Sequence, residues 1–185
     1  TTKILTAITV IENCDLSKEV VITKESVGIE GSSIYLEKDE KLTIKDLLYG
    51  LMLRSGNDAA IELAVNVGGS LEGFVSLMNE NAASIGMKNT TFINPHGLEN
   101  EDGVGNMSTS YDMALLSSVT SKNETYQNIV STTKHTVKTD RKTYIWYNKN
   151  KLLTDYEYTT GGKTGFTKKA RRTLVTTASK DNMNI

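Results

Sequence analysis

Apolar and polar positions alternate along this chain with two different periods. From Thr2 to Asn13, Ile4, Leu5, Ile8 and Ile11 recur at helical spacing and share one stripe. Lys3 lies at the margin of that stripe, where a lysine is ordinarily solvated. Between Glu19 and Glu37 the pattern shortens to β-like pieces, Val20-Val21-Ile22-Thr23 and Ser33-Ile34-Tyr35-Leu36, on either side of Gly28 to Gly31. Thr43-Ile44-Lys45-Asp46 starts a helix with a capping-box pattern, and Leu47, Leu48, Leu51 and Met52 follow on one face. The run breaks at Arg54-Ser55-Gly56-Asn57, and a second helix carries Ala59, Ala60, Leu63, Ala64 and Val67. In the plainest reading Gly56 supplies the turn and Asn57 caps the second helix. That leaves unexplained why a polar elbow sits between two strongly apolar helices.

Gly68-Gly69 stops that helix. Ser70 caps the next, which turns Leu71, Phe74, Val75 and Met78 inward and ends at Gly86. Thr91-Phe92-Ile93 leads into the turn Asn94-Pro95-His96-Gly97-Leu98, in which His96 reads as a buried hydrogen-bonding residue. A polar loop from Glu99 to Met107 precedes a helix capped by Ser108-Thr109-Ser110-Tyr111-Asp112, and Asn123 to Val130 forms a short helix. After Ser131 the pattern becomes that of strands. Lys134 to Lys138 and Thr143 to Tyr147 read as strands joined at Asp140-Arg141, Asn150 to Leu153 as a connector, and Thr173 to Ala178 as the partner of a strand around Lys163. A last strand begins at Asn182-Met183-Asn184-Ile185. The order predicts an α+β fold of two lobes sharing a cleft.

Composition narrows the function classes. The 185 residues suit one domain, and the net charge of −1 gives no electrostatic case for nucleic acid. No apolar run approaches the ~18 residues of a membrane span. Cys14 is alone, and His96 and His135 are far apart in sequence, so a zinc site or a histidine triad is thinly supplied. The chain opens inside a helical pattern and closes inside a strand pattern, as a piece of a longer protein would.

The stretch Gly161-Gly162-Lys163-Thr164-Gly165-Phe166-Thr167 offers the chemistry. Paired glycines let another backbone or a ligand come close, and the lysine is a point charge with three donors. Such a strand edge suits a ligand's carboxylate, with its peptide backbone bonded as an added strand. Thr1-Thr2-Lys3, Ser55-Gly56-Asn57 and Lys163-Thr164-Gly165 occur in the order of the S-x-x-K, S-D-N and K-T-G motifs of penicillin-binding proteins and serine β-lactamases. With the surroundings Leu53 to Ala60, Phe92 to Leu98, Ser108 to Ala114 and Gly161 to Thr167, the chain resembles the low-molecular-weight penicillin-binding D-alanyl-D-alanine carboxypeptidases over nearly its whole length.

That resemblance implies a penicillin-binding, serine β-lactamase-like α+β fold with a helical lobe at about 42–131 and a β-rich part at about 132–185, incomplete at both termini. It implies a nucleophilic serine directly before Thr1, because Thr1 and Thr2 fill the two positions between nucleophile and Lys3. Thr1 itself is one residue out of register. Arg171 stands where the family often has a glycine. Lys3 would be the base, Ser55 would relay a proton to the leaving amine, and Asn57 would donate to a substrate carbonyl. Lys163 and Thr164 would bind the terminal carboxylate, Gly165 would keep the strand surface bare for the substrate, and the Phe166 N–H would join that of the serine in an oxyanion hole. The substrate would be a peptidoglycan peptide ending in D-Ala-D-Ala and β-lactam antibiotics the inhibitors, with no metal or organic cofactor and with a location outside the cytoplasm, at the cell envelope. Any membrane anchor would lie outside this stretch. Two alternatives stand beside it. One is a non-catalytic peptidoglycan-binding homologue, told apart by the residue encoded before Thr1. The other is a class A β-lactamase, whose water-activating glutamate Glu124 resembles only loosely.

Overall fold

The computed structural model describes residues 1–181 and 183–185. Helix α1 (Lys3–Asn13) is its axis. Every residue from Lys3 to Val10 is buried, so the helix is enclosed on all sides instead of showing one apolar stripe. The reason lies in its threonines. Thr6 donates to the Pro95 carbonyl at 2.7 Å, and the Thr9 hydroxyl accepts from Asn81 at 3.4 Å. With its hydroxyls bonded, the polar side of the helix can be buried at little cost.

Around α1 pack α2 (Ile44–Arg54), α3 (Asn57–Gly68), α4 (Leu71–Ile85), α5 (Ser110–Thr120) and α6 (Glu124–Val130). Their starts follow the sequence. Thr43, Ser70, Thr109 and Asn123 each accept a backbone N–H with the capping side chain. Strands β1 (Glu19–Val21) and β2 (Lys41–Thr43) pair antiparallel beside α2, as do β3 (Lys134–Lys138) and β4 (Thr143–Tyr147). The one-turn α7 (Leu152–Asp155) leads to a sheet of β5 (Thr159–Thr167), β6 (Arg171–Lys180) and β7 (Met183–Asn184), in that order. The expected last strand is β7; Asn182, where its start is predicted, lies outside the described residues.

Two local expectations are overturned. Ser33-Ile34-Tyr35-Leu36 is not a strand: Tyr35 turns left-handed (φ 61°), and among the described residues the segment has no partner strand. The buried Asp58 carboxylate takes that place, accepting from the backbone N–H of Ile34 and Leu36 at 3.1 Å and from the Ser33 hydroxyl at 2.5 Å. At the elbow, Ser55 rather than Gly56 turns left-handed (φ 64°, ψ 35°) and closes α2. Gly56 has an ordinary φ of −58°, and no side chain caps α3. Asn57 is already helical and its side chain is used elsewhere.

The glycines of β5 serve the fold. A Cβ on Gly161 would meet the Val130 side chain of α6, and one on Gly162 (φ 130°) would meet the β6 backbone at Val175. What comes close to these glycines is the protein's own chain, which seats β5 against the helices.

Candidate active site

The three segments singled out by sequence converge on the N-terminal end of α1. Lys3 is only 5% exposed, and its ammonium donates at 2.7 Å both to Asn57 Oδ1 and to the His96 carbonyl. The expectation of a solvated lysine fails because α3 and the Asn94–Leu98 turn close over it. That turn is pinned to α1 by the Thr6 bond to Pro95 and by Asn106, which donates to the Thr2 hydroxyl at 2.9 Å.

Asn57 is held at both ends. Its backbone N–H donates to the Ser32 carbonyl at 2.7 Å, and its Nδ2 to the Glu30 carbonyl at 2.8 Å. One amide hydrogen remains for a ligand. Ser55, two residues earlier, is half-buried on the left-handed turn. A non-glycine residue there costs of order 1–3 kcal/mol and persists only where its surroundings impose it.

Lys163 enters from β5 and is 2% exposed, donating to the Thr164 carbonyl at 2.8 Å. Strand alternation puts Lys163, Gly165 and Thr167 on one face and Thr164 and Phe166 on the other. The first face looks toward α1: a Cβ on Gly165 would stand 2.8 Å from the Thr1 nitrogen. Thr164 is half-buried and Phe166 is 64% exposed at the rim. Among the described residues β5 has a partner strand on one side only, so its other edge is open to an added strand.

The electrostatics are those of two crowded cations. Burial pulls the Lys3 ammonium down to about 7, helped by the charges of Lys163 and Lys149 and opposed by Asp58. Burial, then Lys149, pulls Lys163 down to about 7 as well. Near neutrality one lysine can serve as a base while the other binds an anion. Burial first and Lys3 second push the His96 ring down to about 4; its Nδ1 accepts from the Leu98 N–H at 3.1 Å and it stays neutral. Of the two residues that also tune Lys3, Lys149 carried no motif in the sequence, and Asp58 stood within the Leu53–Ala60 stretch with no role assigned to it. Glu124 is exposed at the first turn of α6.

A family model described as D-alanyl-D-alanine carboxypeptidase matches residues 1–185. The D-alanyl-D-alanine carboxypeptidase DacF of Bacillus subtilis is 36% identical over 98% of this chain and 48% of its own length, so the chain spans about half of that relative. A D-alanyl-D-alanine carboxypeptidase of a Streptomyces species is 33% identical over 100% of this chain and 69% of its own. Among solved structures, a D-alanyl-D-alanine carboxypeptidase from Mycobacterium tuberculosis superimposes with a TM-score of 0.93 at 31% identity, covering 99% of this chain and 69% of that one. A Streptomyces DD-transpeptidase does so with a TM-score of 0.91 at 34% identity, covering 99% and 76%.

Proposed function

The chain belongs to the D-alanyl-D-alanine carboxypeptidase family, and from that premise we propose that its protein is a serine-type D-Ala-D-Ala carboxypeptidase acting on peptidoglycan stem peptides at the cell envelope. The observation that carries this reading is the buried Lys3, 2.7 Å from Asn57 and held near 7 beside a second buried lysine on β5.

The serine that the family motif puts directly before Thr1 attacks the carbonyl of the penultimate D-Ala. Its proton passes to neutral Lys3 Nζ. The oxyanion is met by the backbone N–H groups of that serine and of Phe166. Lys163 and Thr164 hold the terminal carboxylate, which suits a site with more cations than anions. Asn57 offers its remaining amide hydrogen to the carbonyl of the acyl part. As the C–N bond breaks, the proton held by Lys3 passes through the Ser55 hydroxyl to the leaving D-Ala nitrogen, and Lys3 is neutral again. Water then attacks the acyl-enzyme and gives a proton to Lys3, which returns it to the serine oxygen as the ester bond breaks. β-Lactams acylate the same oxygen by opening their ring.

Mass spectrometry of the full-length protein after incubation with a labelled penicillin tests the reading. The expected result is one adduct on a serine directly before Thr1. An absence of adduct, with another residue at that position, moves the reading to a peptidoglycan-binding homologue without catalysis.

A further inference from the structure

The chemistry above makes no use of the outer face of the β3–β4 hairpin. Val137, Tyr144 and Trp146 turn inward to the core, so the register sends Lys134, Thr136 and Lys138 of β3 and Thr143, Ile145 and Tyr147 of β4 to the other side. Ile145 and Tyr147, two positions apart on one strand, form an apolar ridge, and each is more than half exposed. The rest of the face is hydroxyls and two lysines, with no acid. Neither lysine has an ion-pair partner among the described residues. Lys134 Nζ lies 5.5 Å from the centre of the Tyr147 ring, a cation–π contact that steadies the ring. A second aromatic stands at the far end of β4. Tyr35 is 78% exposed on a left-handed backbone (φ 61°), a conformation that a bulky residue keeps only where its surroundings impose it. Its carbonyl is held by Lys142 Nζ at 2.6 Å and by the Tyr144 hydroxyl at 3.4 Å.

The near end of the face is tied to the active site. The Tyr147 carbonyl accepts from the Arg54 guanidinium at 3.4 Å, and Arg54 adjoins Ser55. Two residues on, Lys149 donates its backbone N–H to the Leu53 carbonyl at 3.1 Å and adds its charge to the cluster around Lys3. We propose that this face docks the glycan strand from which stem peptides hang, a chain of N-acetylated amino sugars whose lactyl groups and stems supply carboxylates. The proposal rests on the carboxypeptidase reading, which makes peptidoglycan the substrate. A pyranose ring offers C–H groups on its face and polar groups at its rim. Tyr147 and Ile145 suit the first, and the hydroxyls of Thr136 and Thr143 the second. Lys134 and Lys138 suit the carboxylates, on stems that lie along the apolar surface. Thr143 to Tyr147 spans about 13 Å, enough for a disaccharide repeat. The few stem residues between the sugar and the scissile bond reach about 10–14 Å when extended, and Tyr147 stands only about 7 Å along the strand from Lys149. A stem seated in the cleft therefore leaves its glycan within reach of the ridge.

The test uses the full-length protein and glycan strands stripped of their stems by an amidase, so that only sugars and free lactyl carboxylates remain. Calorimetry should show binding that weakens as salt is raised. Tyr147→Ala should weaken it about tenfold. Lys134→Gln combined with Lys138→Gln should weaken it about fivefold and remove most of the salt dependence. Both variants should cut a free D-Ala-D-Ala peptide as fast as the wild type, which also shows that they fold. If Tyr147→Ala is impaired on the free peptide, the doubly substituted variant decides alone. Strands that do not bind, or that bind both variants as tightly as the wild type, overturn the docking face and leave the carboxypeptidase reading intact. Polyglutamate bound as tightly as the strands also overturns it, because the face then answers to charge alone. Strands that bind through Tyr147 to a protein that penicillin does not acylate support the face, while the carboxypeptidase reading falls.

Discussion

The Lys3 ammonium and the Asn57 amide oxygen lie 2.7 Å apart although 54 positions separate them in sequence. The acceptor is neutral. It orients the lysine without supplying the negative charge that would hold a proton on it, so burial and the neighbouring cations decide the titration.

Asn57→Asp should reverse that balance. A carboxylate in contact with Lys3 raises the lysine's affinity for its proton, and opposite charges at such range shift a pKa by about 1–3 units. The acid limb of penicillin acylation should move up by about that amount. The rate at pH 7 should fall by about tenfold or more and partly recover near pH 9. An acid limb in its original place would remove Lys3 as the base.

The wild-type pH profile follows from the two lysines. Lys3 must lose its proton to act, so the rate rises with pH through about 7. Lys163 must keep its proton to bind a carboxylate, so binding weakens as pH rises through about 7. The expected kcat/KM for a D-Ala-D-Ala peptide is a bell with its top near neutrality. A profile that climbs steadily to pH 10 would show that Lys163 does not act as a cation.

Lys163→Met separates function from stability. The folded protein holds this lysine at about 7 against 10.5 ordinarily. Between those values the unfolded chain binds more protons, so stability rises with pH across the window and the burden of a buried cation is full below about 7. Methionine removes the burden. Tm of the full-length protein should rise by about 5 °C at pH 6.5, with the gain shrinking toward pH 10, while kcat/KM drops by about 100-fold or more. A Tm that falls at pH 6.5 would mean that the contact with the Thr164 carbonyl outweighs the charge.

What could be read in advance follows a physical divide. Helix starts at Thr43, Ser70 and Thr109 were legible because a cap is a local bond between near neighbours in sequence. The strands flanking Asp140 and the pairing of the Lys163 strand were legible because each is a strand-type run joined to its partner by a short polar turn. Lys3, Ser55, Asn57 and Lys163 stood out by motif, but their surroundings did not. Nothing near Lys3 in sequence shows that His96 and Asn57 will close over it. Ser33 to Leu36 has a strand's side chains, yet its partner is the carboxylate of Asp58, which no periodicity announces.

Asp58→Asn tests that partnership. The amide offers one acceptor oxygen and sets two donors against backbone N–H groups that need acceptors. Leaving about two buried donors unmet costs on the order of 2–4 kcal/mol, or about 5–10 °C in Tm for a chain of this size. The same change removes the anion that holds Lys3's pKa up, so the acid limb of acylation should move to lower pH. Unaltered thermal stability would mean that the Ile34–Leu36 segment is held by its side chains alone.

Arg171 marks the turn between β5 and β6. It pairs with Thr167, and its φ of 61° is left-handed, a conformation suited to glycine. Hairpins with a three-residue loop close with such a residue. A side chain in this conformation costs about 1–2 kcal/mol, whereas glycine costs about 0.5–1 kcal/mol through the freer unfolded chain. The two nearly offset, and the balance favours glycine. Arg171 is exposed, so its side chain contributes little packing. Arg171→Gly should therefore raise Tm by about 1–3 °C. Arg171→Val should lower it, because a β-branched residue tolerates a positive φ worst of all. If glycine and valine shift Tm alike, the turn is not left-handed in solution.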